Sequence, residues 1–410
     1  MADGAGDTNL EAFRADARAW LETNFPASLK GKAGAAMSEL DGRRPTGDAA
    51  AWLKAVGEKG WTAPTWPAEY GGGGLTGKQA RVLQEEMDRA GAFNPLLGFG
   101  MGITMIGPTI LDYGTPEQKA QHIPSIVRGD LQWCQGFSEP GAGSDLASLS
   151  TKCEDKGDHY LINGSKIWTS GGQFAQWCFC LVRTDTTKKH EGISFILIDM
   201  ATPGVEVRPI QLISGNSPFC ETFFTDVKVP KENLVGPLNG GWTIAKRLLQ
   251  FERNSLSGGG GGAAMRMMFG AGSLDAMAKK YVGTDDKGRI ADGDLRSRLT
   301  QHMMDAKAFT LTLMRAAAES KGNASPSAAT SIMKNAGTKV GQDRAELTLE
   351  IMGSQGLGWE GEDFAAEELS AVRGWLGGKA TTIYGGSQEI QSNIISKRIL
   401  GLPDPASAQH

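Results

Sequence analysis

A block of short β-type runs lies between two long helix-patterned stretches, and this ordering limits the fold more than any other feature. WCFCLVRTD (177–185), GISFILIDM (192–200), VEVRPIQL (205–212) and ETFFTDVKV (221–229) are β-branched or aromatic runs separated by turns. Upstream, LEAFRADARAWLETNF places Leu10, Phe13, Ala17 and Leu21 on one helical face with charges between them. AAWLKAVGEKG (50–60) and GKQARVLQEEMDRAG (77–91) read as helices that stop at glycine. GGGG at 71–74 marks a loop, and GFGMGITMIGPTILDYG (98–114) reads as one buried helix. In TPEQKAQHIPSIVRGD, Thr115 is the expected N-cap and Pro116 the first helical residue. Downstream the helical pattern returns at Gly241 and runs to about residue 400, with a last helix from about Ser387. The expectation is an α+β chain: helical over 1–130, β over 131–237 and helical over 238–410, with the tail DPASAQH frayed.

At 410 residues the chain is long for one core, so two or three packed domains are expected. A net charge of −4 carries no basic excess for nucleic acid. The N-terminus is acidic and lacks an apolar segment, unlike a secretory signal or an Arg-rich transit peptide. No run approaches the roughly 18 apolar residues of a membrane span. The five cysteines (Cys134, Cys153, Cys178, Cys180 and Cys220) are odd in number and lack metal-type spacing, so buried reduced thiols in a cytoplasmic protein are expected and no metal.

The chemistry concentrates between Trp133 and Ser170. Ser138-Glu139-Pro140-Gly141-Ala142-Gly143-Ser144-Asp145 is a turn-forming run in which glycine permits close backbone approach. Such a loop can aim N–H groups and the Ser138 and Ser144 hydroxyls at an anion or a polar ring edge. Trp168-Thr169-Ser170 sets a large flat ring beside two small donors. A flavin needs those parts. The same residue types equally fit a surface loop between two strands with Trp168 in the core.

Ser-Glu-Pro-Gly-Ala-Gly-Ser-Asp followed by Gly-Ser-Lys-Ile-Trp-Thr-Ser resembles the flavin-binding signature of the acyl-CoA dehydrogenase family. Further matching segments are GWTAPTWPAEYGGGG (60–74), EGISFILIDM (191–200), FTDVKVPKENLVG (224–236) and IYGGSQEIQSNIISKRILG (383–401), so the resemblance extends over roughly residues 9–402. It implies an N-terminal helical domain, a middle β-barrel or sandwich domain and a C-terminal helical bundle. It implies FAD as cofactor, an acyl-CoA substrate and an electron-transfer flavoprotein as acceptor. The reaction implied is loss of the α-proton to a carboxylate and of the β-hydrogen as hydride to flavin N5, giving a trans-2-enoyl-CoA. By the same resemblance Gln135, Phe137 and Ser138 face the isoalloxazine edge. Gly143 and Ser144 approach the pyrophosphate side or the substrate, and Trp168, Thr169 and Ser170 cover the ring. Ser387 and Glu389 fall where relatives contact the adenosine half.

Many members carry the base in a Tyr-Glu-Gly-Thr motif. Here the matching stretch is Tyr384-Gly385-Gly386-Ser387, so Gly385 can offer only its backbone N–H to the thioester oxygen. Long-chain, isovaleryl-type and steroid-type members place the base before an arginine on the first long helix after the β domain. Phe251-Glu252-Arg253-Asn254 stands there, which makes Glu252 the expected base and Arg253 a candidate for orienting it or meeting CoA. The competing reading of Glu252 is a solvated helix glutamate paired with a neighbouring cation.

Two departures bear on assembly. No Arg-x-x-Phe-Gly motif appears in AKKYVGTDDKGRIADGD (278–294), and Glu350 stands where relatives often have Gln. Both contacts normally cross a subunit interface, so a homo-oligomer (dimer or tetramer) and a heterotetramer with a related subunit stay open. Two further readings also stay open: a silent partner subunit, and an oxygen-using flavin oxidase or monooxygenase. The run Gly258–Gly262 costs a helix roughly 1 kcal/mol per glycine, and it fits either room for a bulky acyl group or close packing.

Overall fold

The computed structural model describes residues 4–31, 45–98, 100–257, 273–319 and 329–403. The glycine run 258–262 and the tail 404–410 lie outside them. The chain divides into two compact units, Met1–Ile210 with Ser217–Glu252, and Gln211–Asn216 with Arg253–His410.

The first unit opens with α1 (Gly4–Asn24), α2 (Gly47–Glu58), α3 (Gly77–Ala90), α4 (Gly107–Tyr113) and α5 (Pro116–Arg128). Thr76 with Gln79 and Thr115 with Gln118 form capping boxes at the starts of α3 and α5, and each helix stops at a left-handed glycine. Ala17, Leu21, Trp52, Trp61 and Phe93 share one core. Beside it the buried Glu86 accepts from Arg18, Arg14 and Arg89, led by Arg18, which hold its carboxyl at about 2. The stretch 98–114 is not one helix. A π-helical turn over Gly102–Ile106 precedes a seven-residue α4. At the join a Cβ on Gly107 would meet the Trp66 ring at 2.1 Å, so the indole takes the space a side chain would need.

An eight-stranded sheet follows. Its strands are β1 (Trp133–Gly136), β2 (Lys152–Asp155), β3 (His159–Ser170), β4 (Trp177–Arg183), β5 (Ile193–Asp199), β6 (Val205–Ile210), β7 (Phe219–Pro230) and β8 (Leu234–Val235). The order is β6-β7-β3-β2-β4-β5-β8, with β1 parallel to β4. β4 and β5 are almost wholly buried, as continuous apolar runs require. All five cysteines are buried and unpaired.

His122 of α5 is buried between the edges of Trp133, at 5.2 Å, and Trp177, at 4.8 Å. Among the described residues neither of its ring nitrogens has a hydrogen-bond partner, and burial lowers its pKa from 6.5 to about 4. The unfolded chain therefore binds the proton first as pH falls. The stability tied to neutral His122 is complete above pH 6.5 and is lost between 6.5 and about 4, roughly 3 kcal/mol in all. Denaturation midpoints of His122→Phe are expected to lose this part of the pH dependence. An unchanged pH profile would remove His122 as its source.

In the second unit lie α7 (Leu274–Tyr281), α8 (Gly293–Glu319), α9 (Ala329–Met352), α10 (Ala366–Gly378) and α11 (Gln388–Ile394). Between the last strand and α7, helix α6 (Gly241–Ser257) carries the division between units after Glu252. No helix among the described residues is long and apolar enough to cross a membrane.

Candidate functional site

The Ser138–Asp145 loop is held from beneath by two cations. Lys166 of β3 is 0% exposed, and its Nζ donates to the Phe137 carbonyl at 3.1 Å and to Glu139 Oε1 at 2.8 Å. Glu139, 6% exposed, also accepts from Ser150 N at 2.7 Å, Ser150 Oγ at 2.8 Å and Thr151 N at 2.9 Å. Burial pushes the Glu139 carboxyl up, but the Lys166 charge and these hydrogen bonds hold it at about 2. Further along, Arg183 donates to the Ala147 and Leu149 carbonyls at 2.5 and 3.1 Å. The loop itself closes as a two-residue turn, with paired bonds of 3.0 Å between Glu139 and Ala142.

This anchoring leaves the tip of the loop open. A Cβ on Gly141 or Gly143 would meet nothing within 4 Å, and neither glycine has a positive φ. The fold alone does not require glycine at these two places, whereas a group lying on the loop would. The Ser138 and Ser144 hydroxyls make no hydrogen bond among the described residues, so both are available to such a group.

β3 changes register against β7 between Lys166 and Thr169, and Trp168 sits in that bulge at φ 61°. A bulky residue in the left-handed region is costly and clusters at functional sites. The bulge turns the indole out of the sheet, where it is 52% exposed and meets Phe219 edge-on at 6.0 Å. Trp168 is thus not a core residue. Its neighbour Thr169 points inward, with its hydroxyl 2.8 Å from the Cys220 carbonyl and from Thr222 Oγ1. Phe137 is likewise turned into the core, edge-on to Phe179 and Phe195. The side chains of Phe137 and Thr169 are thus used by the sheet. Gln135 and Ser170 are half-buried in β1 and β3.

A flat ring with polar edges and a phosphate fits this arrangement. For such a group the open glycines and free hydroxyls would be the cradle and the outward indole the cover. Glu139, Lys166 and Arg183 were not singled out in the sequence. The only signal was the occurrence of three ionisable residues inside otherwise apolar or turn-forming runs.

On α6, Ile244, Ala245 and Leu248 are buried, and Glu252 follows Ile244 and Leu248 at the same four-residue spacing. Glu252 is half-buried. One turn earlier Arg247 donates to Asp112 at 2.9 Å and stacks on Phe251 at 4.4 Å. The Arg253 side chain lies outside the described residues.

In the second unit Gly385 and Gly386 adopt φ of 67° and 88°. Ser387 caps α11, accepting from Ile390 N at 3.4 Å, so its oxygen serves the helix. Exposed Glu389 sits in the first turn, its carboxyl lowered by its own backbone N–H and by Ser387. Glu350 accepts both arms of the Arg298 guanidinium, one at 2.7 Å, so the acid at this position is neutralised within the chain. Among the described residues no cluster of His, Cys, Asp or Glu could hold a metal ion.

Three family descriptions cover nearly the whole chain: acyl-CoA dehydrogenase N-terminal domain over residues 8–130, middle domain over 134–227 and C-terminal domain over 239–400. The chain is 35% identical over 410 residues to acyl-CoA dehydrogenase IpdE1 of Mycolicibacterium smegmatis, covering 96% of this chain and 98% of that one. It is 36% identical to the protein of the same name from Mycobacterium tuberculosis, covering 97% and 99%. Among solved structures it is similar to the ChsE4-ChsE5 complex from Mycobacterium tuberculosis, with a TM-score of 0.73, 30% identity and coverage of 97% and 98%. It is also similar to the Tcur3481-Tcur3483 steroid ACAD, with a TM-score of 0.75, 30% identity and the same coverage. On this evidence the chain belongs to the acyl-CoA dehydrogenase family of oxidoreductases.

Proposed function

We propose that the chain desaturates an acyl-CoA thioester between Cα and Cβ, giving a trans-2-enoyl-CoA, with Glu252 as the base. The observation that carries this reading is the placement of Glu252 on the buried stripe of α6. A carboxylate in line with Ile244 and Leu248 is not on the solvated face of its helix, which argues against the surface-glutamate alternative. Partly withdrawn from bulk water, it can accept the weakly acidic α-proton at a carboxylate oxygen. A bound FAD supplies the acceptor for the β-hydrogen. Ser138, Gly143 and Ser144 hold its polar edges and Trp168 covers the ring. The N–H of Gly385 meets the thioester oxygen as negative charge develops there.

The names of the similar structures point to a steroid-derived acyl group, and an electron-transfer flavoprotein is the acceptor in this reading. The exposed face of α8 presents Met303, Met304, Leu311 and Met314. Such a stripe on a helix is what a second subunit covers, in a homo-oligomer or with a related chain.

The test is an anaerobic titration of the purified protein with straight-chain, branched and steroid-derived acyl-CoA thioesters, followed by flavin absorbance, with the particle mass measured on the same sample. Bleaching with formation of enoyl-CoA is expected. Peroxide formation in air at the rate of substrate loss would favour an oxidase instead. Absence of bound flavin would favour a silent subunit, and a monomeric mass would remove the α8 contact.

A further inference from the structure

Helix α9 carries polar side chains at successive turns. Lys334, Thr338, Gln342 and Glu346 are four residues apart and share one face. Each of them holds the turn that leads to Gly385. Lys334 Nζ donates to the Thr381 carbonyl at 2.7 Å, and Thr338 Oγ1 donates to the same oxygen at 3.3 Å. Gln342 Nε2 donates to the Gly378 carbonyl at 3.1 Å and to Thr381 Oγ1 at 3.3 Å. Glu346 pairs with Lys379 at 2.6 Å. The turn then closes on itself, as Ile383 and Tyr384 donate to the Ala380 carbonyl at 2.9 and 3.1 Å.

A second clamp comes from α11. Gln391, buried in α11, donates from Nε2 to the Gly385 carbonyl at 3.1 Å. It lies so close that a Cβ on Gly386 would be 2.5 Å from that nitrogen. The Gly385 carbonyl is therefore committed. The N–H groups of Gly385 and Gly386 have no acceptor among the described residues, and a Cβ on Gly385 would meet nothing within 4 Å. The segment is built as a rigid bracket around an open donor.

We propose that Lys334 and Gln391 are positioning residues for the acyl thioester, fixing from two helices the backbone whose Gly385 N–H receives the thioester oxygen. The proposal rests on the dehydrogenase reading above. Lys334 acts through the Thr381 carbonyl and Gln391 through the Gly385 carbonyl, and neither touches the reacting carbons. A shift of about 1 Å in a donor aimed at developing charge costs on the order of 10²-fold in rate, while substrate binding elsewhere is kept.

The experiment compares wild type, Lys334→Met, Lys334→Arg and Gln391→Leu. For each, the single-turnover rate of flavin reduction, the thioester concentration at half-bleaching, the flavin content and the thermal midpoint are measured. Lys334→Met and Gln391→Leu are expected to slow reduction by about 10- to 100-fold. Their half-bleaching concentration should stay within about threefold, at full flavin content and an unchanged thermal midpoint, because only the transition-state contact is lost. Lys334→Arg keeps a donor for Thr381 and should recover most of the rate. Unchanged rates in both variants would overturn the proposal, as would a slowing that tracks flavin loss or a lower thermal midpoint. If wild type itself fails to bleach with every thioester, the dehydrogenase reading fails and takes this proposal with it. Normal bleaching in wild type with unaffected variants removes the positioning role alone.

Discussion

Lys166→Met is expected to lower stability by about 3–5 kcal/mol and to strip most of the bound flavin. Lys166 is fully buried, and its only described acceptors are the Phe137 carbonyl and Glu139. Without the ammonium, Glu139 stays buried with three donors but without its hydrogen-bonded counter-charge, and the Phe137 carbonyl loses its partner. Both groups border the Ser138–Asp145 loop, so the proposed flavin cradle should loosen before the sheet does. The pH dependence has a defined sign. In wild type Glu139 titrates at about 2 against an ordinary 4.5, so the stability from the pair is complete above 4.5 and is lost as pH falls from 4.5 towards 2. In the variant, burial without the cation raises the Glu139 pKa, so protonation relieves the penalty at higher pH. The gap between the two proteins is largest at neutral pH and narrows on acidification. Replacing both partners, Glu139→Gln with Lys166→Met, should cost less than Lys166→Met alone, because no buried charge remains. Urea denaturation and flavin stoichiometry read these effects. A loss under about 1 kcal/mol with flavin retained would sink the anchoring role.

The helices and strands were legible because each carries its own period and its own stop. Thr115 and Pro116 open α5 as the local signals imply, and the β4 and β5 runs are mainly apolar because both their faces are buried. The site was legible only at the level of residue types. The Glu139–Lys166 pair spans 27 positions, and its existence depends on how the loop folds back over β3. Trp168 was readable as a ring near donors, but its bulge was not, since nothing in the composition marks a tryptophan at positive φ. That bulge also explains Thr169. A one-residue slip reverses which side chains face inward, so the residue beside an outward indole becomes a core hydroxyl. Phe137 packs into the core edge-on to Phe179 and Phe195, a placement that its residue type alone does not reveal. In 98–114 an apolar run looked like one helix, yet the packing of Trp66 against Gly107 marks a join between two helical forms.

Glu252→Gln is expected to slow the reductive half-reaction by about 10²- to 10⁴-fold while leaving flavin content unchanged. At 1.36 kcal/mol per tenfold this corresponds to roughly 3–5 kcal/mol of barrier. Gln keeps the size of the side chain and its place after Ile244 and Leu248, so α6 should retain its packing in the core. What is lost is the ability to take a proton. Arg247, anchored to Asp112 and stacked on Phe251, fixes the helix one turn earlier and is untouched by the change. Binding of the enoyl-CoA product, which has no acidic α-proton for the base to take, should therefore stay within a few-fold of wild type. This separation matters because a surface glutamate would lose neither rate nor binding, and a structural one would lose rate, binding and flavin together. Stopped-flow absorbance with a reactive thioester, beside a product-binding titration, distinguishes the three. Equal bleaching rates in wild type and variant would move the base away from α6 altogether.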